Sequence, residues 1–228
     1  MNARRVDGIL DGLRGRLIVS VQAPPSSALD DPGAIARIAA AACEAGAAGV
    51  RIQSVAHIEA VRDRVSRPII GLIKREYPGF EPYITPTIEH ARAILRTGVP
   101  IVAFDATQRP RPDASTPEAI VDEIHRGCAV AMADCATAAD GRRAYEAGAE
   151  ILATTLCGYT AETRDTVLPA LELVRALATF GAFVICEGGI SEPESGRAAL
   201  DAGADAIVVG TAITGIARRT QAFAEALR

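Results

Sequence analysis

Four times along this sequence an alanine-rich helical pattern runs into a glycine and then into an apolar run. The segments are Cys43-Glu44-Ala45-Gly46-Ala47-Ala48-Gly49-Val50-Arg51-Ile52, Leu95-Arg96-Thr97-Gly98-Val99-Pro100-Ile101-Val102, Tyr145-Glu146-Ala147-Gly148-Ala149-Glu150-Ile151-Leu152 and Leu200-Asp201-Ala202-Gly203-Ala204-Asp205-Ala206-Ile207-Val208-Val209. Glycine suits the position just past a helix C-terminus, where the backbone needs a positive φ. The chain therefore leaves a helix and enters a buried strand again and again. Eight apolar runs qualify as strands: 17–23, 49–54, 68–74, 100–105, 129–134, 150–156, 182–187 and 205–210. Amphipathic stretches lie between them at 32–45, 55–65, 87–97, 116–127, 137–147, 167–178 and 193–202, with a last one at about 212–227. Nearly continuous apolar strands alternating with helices imply a parallel sheet covered by helices. Eight such units in 228 residues fit a single (β/α)8 TIM barrel spanning 1–228, with a short helix at about 2–13 closing its bottom. A doubly wound open sheet is the competing fold. It lacks its usual sign here, a GxGxxG after the first strand.

Charge and composition narrow the function classes. The net charge is −4 and no basic block appears, which argues against a nucleic-acid partner. Tryptophan is absent and aromatics are 4%, so little is available for stacking on bases. No apolar run is long enough to span a bilayer, and the N-terminal region lacks the apolar core of a signal peptide. Cys43, Cys128, Cys135, Cys157 and Cys186 form no CxxC and are odd in number. They read as free thiols of a cytoplasmic protein. His57, His90 and His125 are not spaced as metal ligands, so neither a metal nor another cofactor is expected.

In a barrel of this kind the chemistry sits at the C-terminal ends of the strands and in the loops that follow. Those ends carry Gln22, then Arg51 and Gln53, Lys74, Asp105 and Asp134. Strand 6 leads into Thr154-Thr155 and a loop with Gly158-Tyr159-Thr160; strand 7 ends at Glu187-Gly188-Gly189 and strand 8 at Gly210-Thr211. One charged residue at a strand end is ordinarily a solvated rim group. So many converging on one mouth favour catalysis. Lys74 closes an apolar run and has two readings, a salt-bridged rim lysine or a catalytic amine. A lysine with restricted access to water loses basicity and can serve as a general base or Schiff-base nucleophile. Glu187 could likewise only pair with an arginine, or could carry a proton opposite Lys74. Gly188, Gly189, Gly210 and Thr211 fall in the two loops that bind phosphate in such barrels, although Gly-Gly alone fits a plain tight turn equally well.

Taken in order, several segments resemble one family. They are Leu17-Ile18-Val19-Ser20-Val21-Gln22-Ala23, Gly71-Leu72-Ile73-Lys74-Arg75, Ile84-Thr85-Pro86-Thr87, Phe104-Asp105-Ala106-Thr107, Met132-Ala133-Asp134, Thr154-Thr155-Leu156-Cys157-Gly158-Tyr159-Thr160 and Val209-Gly210-Thr211-Ala212-Ile213-Thr214. Over about residues 10–216 the chain is similar to the N-acetylmannosamine-6-phosphate 2-epimerases of sialic-acid and amino-sugar catabolism. The resemblance implies a cofactor-free isomerase that interconverts N-acetylmannosamine 6-phosphate and N-acetylglucosamine 6-phosphate. Lys74 and Glu187 would transfer protons at C2. Gln22, Arg51 and Asp134 would bind or orient the sugar, and Tyr159 and Asp105 would contribute to the same site. The partner is then a small sugar phosphate, and a homodimer formed through the mouth loops or the last helix is expected.

Two positions depart from the family. Gly189 and Gly215 stand where members often carry a basic residue. Backbone amides with Arg218 or Arg219 would then hold the phosphate, or the enzyme would accept the unphosphorylated sugar. A Schiff-base sugar-phosphate aldolase using Lys74 and a non-catalytic sugar-phosphate sensor are the competing functions.

Overall fold

The four glycines of the repeat, Gly46, Gly98, Gly148 and Gly203, all adopt positive φ, between 76° and 111°. Each turns a helix into the next strand, as the sequence pattern requires. At the other end of the units, Asp31, Ser54, Thr87, Thr116 and Thr137 each accept a backbone N–H of the helix they open. The structure, a computed structural model, describes residues 3–25 and 27–228.

The chain runs through α1 (Ala3–Leu13), β1 (Leu17–Val21), α2 (Pro32–Glu44), β2 (Gly49–Gln53), α3 (Val55–Arg62), β3 (Ile69–Leu72), α4 (Ile88–Leu95), β4 (Ile101–Asp105) and α5 (Pro117–Arg126). It continues through β5 (Val130–Asp134), α6 (Ala138–Glu146), β6 (Ile151–Ala153), α7 (Leu171–Ala178), β7 (Phe183–Glu187), α8 (Pro193–Asp201), β8 (Ala206–Val209), α9 (Thr211–Thr214) and α10 (Ile216–Ala226). The strands form a closed parallel barrel in chain order, β8 pairing back onto β1 with Leu17 beside Ile207. This is a (β/α)8 TIM barrel. No helix among the described residues is long and apolar enough to cross a membrane.

Period-two alternation divides every strand between two cores. Val19, Val50, Ile52, Val102, Phe104, Ala131, Leu152 and Val184 pack outward under the helices. Ile18, Ile70, Leu72, Ile101, Val130, Met132, Ile151, Phe183, Ile185 and Val208 fill the barrel interior. Helix α1 closes the bottom of that interior with Leu13, helped by Val6, Ile9 and Leu10. Gly71 sits at an outward position where α3 and α4 approach closely; a Cβ there would stand 2.7 Å from Ile94 and 3.1 Å from Ile58.

Several element limits differ from the sequence pattern, four of them with a visible cause. β3 stops at Leu72 and not at Lys74, because the chain turns back to pair antiparallel with Ile84. β6 stops at Ala153, since the chain soon turns on itself, with Cys157 N–H donating to Thr154 O and Gly158 N–H to Thr163 Oγ1. α7 begins at Leu171, after Leu168-Pro169, because the residue before a proline avoids helical backbone. The final helix is broken at Gly215 into α9 and α10. The expected helix at 2–13 is observed from Ala3; residue 2 lies outside the described residues.

Leu13 is fully buried at the barrel floor. Leu13→Ala should therefore lower stability by about 2–5 kcal/mol in urea unfolding. A loss below about 1 kcal/mol would mean that α1 does not seal the interior.

Candidate active site

The same alternation that sends Val50 and Ile52 outward turns Arg51 inward. It does the same for Ser20 on β1, Asp105 on β4, Asp134 on β5 and Glu187 on β7, all at the C-terminal end of the barrel. Arg51 is the centre of the resulting cluster. Its Nη1 and Nη2 donate to Asp134 Oδ1 and Oδ2 at 3.0 and 2.6 Å, a forked pair, and Nη1 lies 2.8 Å from Glu187 Oε2. Side-chain exposure is 1% for Arg51, 0% for Asp134 and 14% for Glu187. Such burial alone would make the guanidinium less basic, but Asp134 and Glu187 outweigh it and hold Arg51 above its ordinary value.

Thr155, just past β6, bridges the two carboxylates. Its hydroxyl is 2.7 Å from Asp134 Oδ1 and 3.0 Å from Glu187 Oε2. Glu187 itself is pushed up, first by burial and then by Asp134, against the pull of Arg51 and Lys74. Its backbone is fixed by Thr154, whose hydroxyl donates to Glu187 O at 2.9 Å.

Lys74 approaches from the opposite side, since β3 and β7 are four strands apart in the eight-strand ring. The loop after β3 is a braced return. Arg75 N–H donates to Tyr83 O at 2.9 Å, Thr85 N–H to Ile73 O at 2.6 Å, and the buried Thr85 hydroxyl to Ala103 O at 2.6 Å. Lys74 is itself an exposed residue. Protein packed about its ammonium still withholds part of its hydration and lowers its pKa; neighbouring Arg51 adds to the effect, and Glu187 and Asp134 oppose it. One amine is thus made easier to deprotonate while the acid across the mouth is made easier to protonate.

Gln22 donates from Nε2 to Ser20 Oγ at 2.8 Å, while its buried Oε1 has no partner among the described residues. That acceptor is suited to a ligand hydroxyl or amide. Tyr159 is exposed and lies against Gly188, a Cβ on which would be 3.5 Å from the ring. Among the described residues, the N–H groups of Gly188 and Gly189 take no part in the loop hydrogen bonds. Gly210 packs on Ser20, and Thr211 opens α9. Leu168 covers Gly189 so closely that no side chain would fit there. Arg218 and Arg219 are exposed on α10.

Asp105 was expected to contribute to the sugar site. It is fully buried and occupied by its own loop: Thr107 N–H and hydroxyl donate to Oδ1 at 2.9 and 2.6 Å, and Arg109 to Oδ2 at 2.8 Å. Arg111 reaches its carbonyl and that of Thr107. Asp105 therefore ties down the loop after β4. Sequence reasoning passed over Thr155, read as strand, and Tyr83, whose hydroxyl is pushed up by burial and by Asp134. The inward parity of residue 155 after Ile151 and Ala153 was the available signal for the first.

Comparison with known proteins agrees with this geometry. Residues 35–228 match the NanE family model, described as "Putative N-acetylmannosamine-6-phosphate epimerase". This chain belongs to the NanE family. It is 47% identical to a relative of the corresponding 2-epimerase description from Synechococcus elongatus, with 94% of each chain covered. A relative from Cutibacterium acnes is 42% identical, covering 97% of this chain and 98% of that one. The structure of the N-acetylmannosamine-6-phosphate 2-epimerase from Clostridium perfringens superimposes with a TM-score of 0.91 at 39% identity, over 95% of each chain. The NanE-family cluster thus sits on an epimerase scaffold along nearly its whole length.

Removing Arg51 would leave Asp134 and Glu187 facing each other without a cation. Arg51→Met should cost about 3–5 kcal/mol at neutral pH. In that variant the folded carboxylates bind protons more readily than the unfolded ones, so stability falls as pH rises and recovers as pH drops toward the carboxylate range. Urea unfolding of wild type and R51M at pH 5 and pH 7.5 measures this. An equal loss at both values would contradict the electrostatic reading.

Proposed function

We propose that the protein interconverts N-acetylmannosamine 6-phosphate and N-acetylglucosamine 6-phosphate by moving a proton at C2. The observation that carries this reading is the pair of oppositely tuned groups, Lys74 and Glu187, on opposite sides of a mouth whose floor is Arg51 with Asp134. Inverting C2 needs a base on one face, an acid on the other, and positive charge where the enediolate oxygen develops. The Lys74 amine takes the C2 proton, the electron pair passes into the enediolate, and Glu187 returns a proton to the other face. In the reverse direction the two exchange roles. Arg51 and Asp134 hold the O1–C1–C2 edge, and Gln22 Oε1 accepts from the sugar. The names of the relatives favour this chemistry over a Schiff-base aldolase or a sensor.

The phosphate is assigned to the amides of Gly188, Gly189 and Thr211 after β7 and β8. With Leu168 over Gly189, backbone donors hold it without an added guanidinium from that position. All five cysteines are free, which suits a cytoplasmic enzyme.

The same reading gives the chain a homodimer built through α10. No residue of α10 is buried, and Ile216, Phe223 and Leu227 are 57, 67 and 87% exposed. Around the barrel, the outward strand residues left partly open are Leu17 and Ile207, side by side on the β8–β1 seam. The helix of a second copy laid on that seam would cover both apolar surfaces in a two-fold, reciprocal contact. Light scattering should find a dimer for wild type and a monomer for Phe223→Asp. A wild-type monomer at micromolar concentration would remove this part of the reading.

Product formation by proton NMR tests the reaction itself. Wild type should convert the phosphorylated sugar faster than the unphosphorylated one, and Lys74→Met and Glu187→Gln should each lose about 10²–10⁴-fold in kcat. Either variant keeping most of its activity would overturn the residue assignment. Equal rates on both sugars would overturn the phosphate assignment.

A further inference from the structure

Thr155 stands between two carboxylates that already share one arginine. Its Oγ1 is within hydrogen-bonding distance of Asp134 Oδ1, 2.7 Å, and of Glu187 Oε2, 3.0 Å. A hydroxyl has one proton and two lone pairs, so it cannot donate to both at once. When it donates to Asp134, its lone pair faces Glu187 Oε2, a contact that is favourable only if that oxygen carries a proton. When Glu187 is ionised, the favourable arrangement is the other one, with the hydroxyl turned toward Glu187 and Asp134 left to its forked pair with Arg51.

We propose that Thr155 is a positioning residue for the proton on Glu187, its hydroxyl turning between Asp134 and Glu187 as the acid loses and regains that proton. This rests on the epimerase reading. As the C2–H bond forms, the Glu187 O–H bond breaks and the enediolate electron pair takes the proton. The proton removed from the other face stays on Lys74, and none leaves Thr155. Rotation of one O–H then supplies the new carboxylate with a donor, without movement of the heavy atoms.

The other groups around Glu187 cannot do this. Arg51 on β2 donates to Asp134 and faces Glu187 as its cation in either state. Lys74, after β3, is itself a reactant. Asp134 on β5 has no proton to give while it is paired with Arg51. Tyr83 is a neutral phenol whose hydroxyl is pushed up by burial, and Asp105 is held by Thr107 and Arg109. The neighbouring Cys186 thiol is pushed up to about 11 by burial and stays neutral. Thr155 itself is placed by the β6 parity, following Ile151 and Ala153 on the inward face.

The test compares wild type, Thr155→Val, Thr155→Ala and Thr155→Ser. Carbon NMR of carboxyl-labelled glutamate follows the Glu187 titration in the free enzyme, and kcat against pH is measured in both reaction directions. Hydroxyl donation favours the carboxylate, so its loss should raise the Glu187 titration in T155V and T155A by about one pH unit. The limb of the rate profile that belongs to Glu187 should rise with it, and T155S should return both to near wild type. An unchanged Glu187 titration in a folded T155V or T155A overturns the proposal, as does a T155S that titrates like T155V. If wild type showed no reaction at C2, the epimerase reading would fall, while the carboxyl titration would still decide what Thr155 does.

Discussion

A buried guanidinium holding two carboxylates is the interaction on which the rest of this structure depends. Taking Arg51 out of water is costly unless its donors are met, and the interior returns that cost only when the geometry is good. Here Asp134 takes two donors at 3.0 and 2.6 Å, and Glu187 Oε2 lies 2.8 Å from Nη1 as an ion pair. These three residues come from β2, β5 and β7, which meet only when the barrel closes. Closure is therefore both the folding event and the assembly of the site. The apolar barrel interior below, from Met132 down to Leu13, keeps water from entering beneath the cluster.

One physical cause tunes both reactive groups. Burial disfavours the charged form of any ionisable side chain, so it lowers Lys74 and raises Glu187. The two move toward each other without any special partner for either. Arg51 sharpens the lysine's shift and moderates that of the glutamate, which keeps both within reach of proton exchange. A lysine at the end of a buried strand is thus explained by the charged cluster it faces, Arg51 with Asp134 and Glu187. Its backbone is held by a return loop that pairs Lys74 with Ile84, so the flexible side chain starts from a rigid base.

The local parts of this design were legible in the sequence and the long-range parts were not. Gly46, Gly98, Gly148 and Gly203 revealed the βα repeat because a helix stop is a property of a few adjacent residues. Arg51, Asp134 and Glu187 were legible as charged residues toward the C-terminal ends of apolar runs. The occupation of Asp105 by Thr107 and Arg109 was hidden, since a carboxylate's partners depend on how its loop folds back. Thr155 was hidden for the opposite reason. A threonine in an apolar stretch reads as strand, and only the meeting of β5, β6 and β7 gives it two carboxylates. The break at Gly215 was hidden as well, since the amphipathic pattern continues across it.

The central claim is that C2 exchanges a proton with groups of this protein. The direct measurement is the incubation of N-acetylmannosamine 6-phosphate with wild-type enzyme in D₂O, following the C2 hydrogen by proton NMR. The account predicts that the gluco epimer forms with deuterium at C2. Gluco epimer formed with its original hydrogen fully retained at C2 would contradict proton transfer through Lys74 and Glu187, and the account would fail at its core.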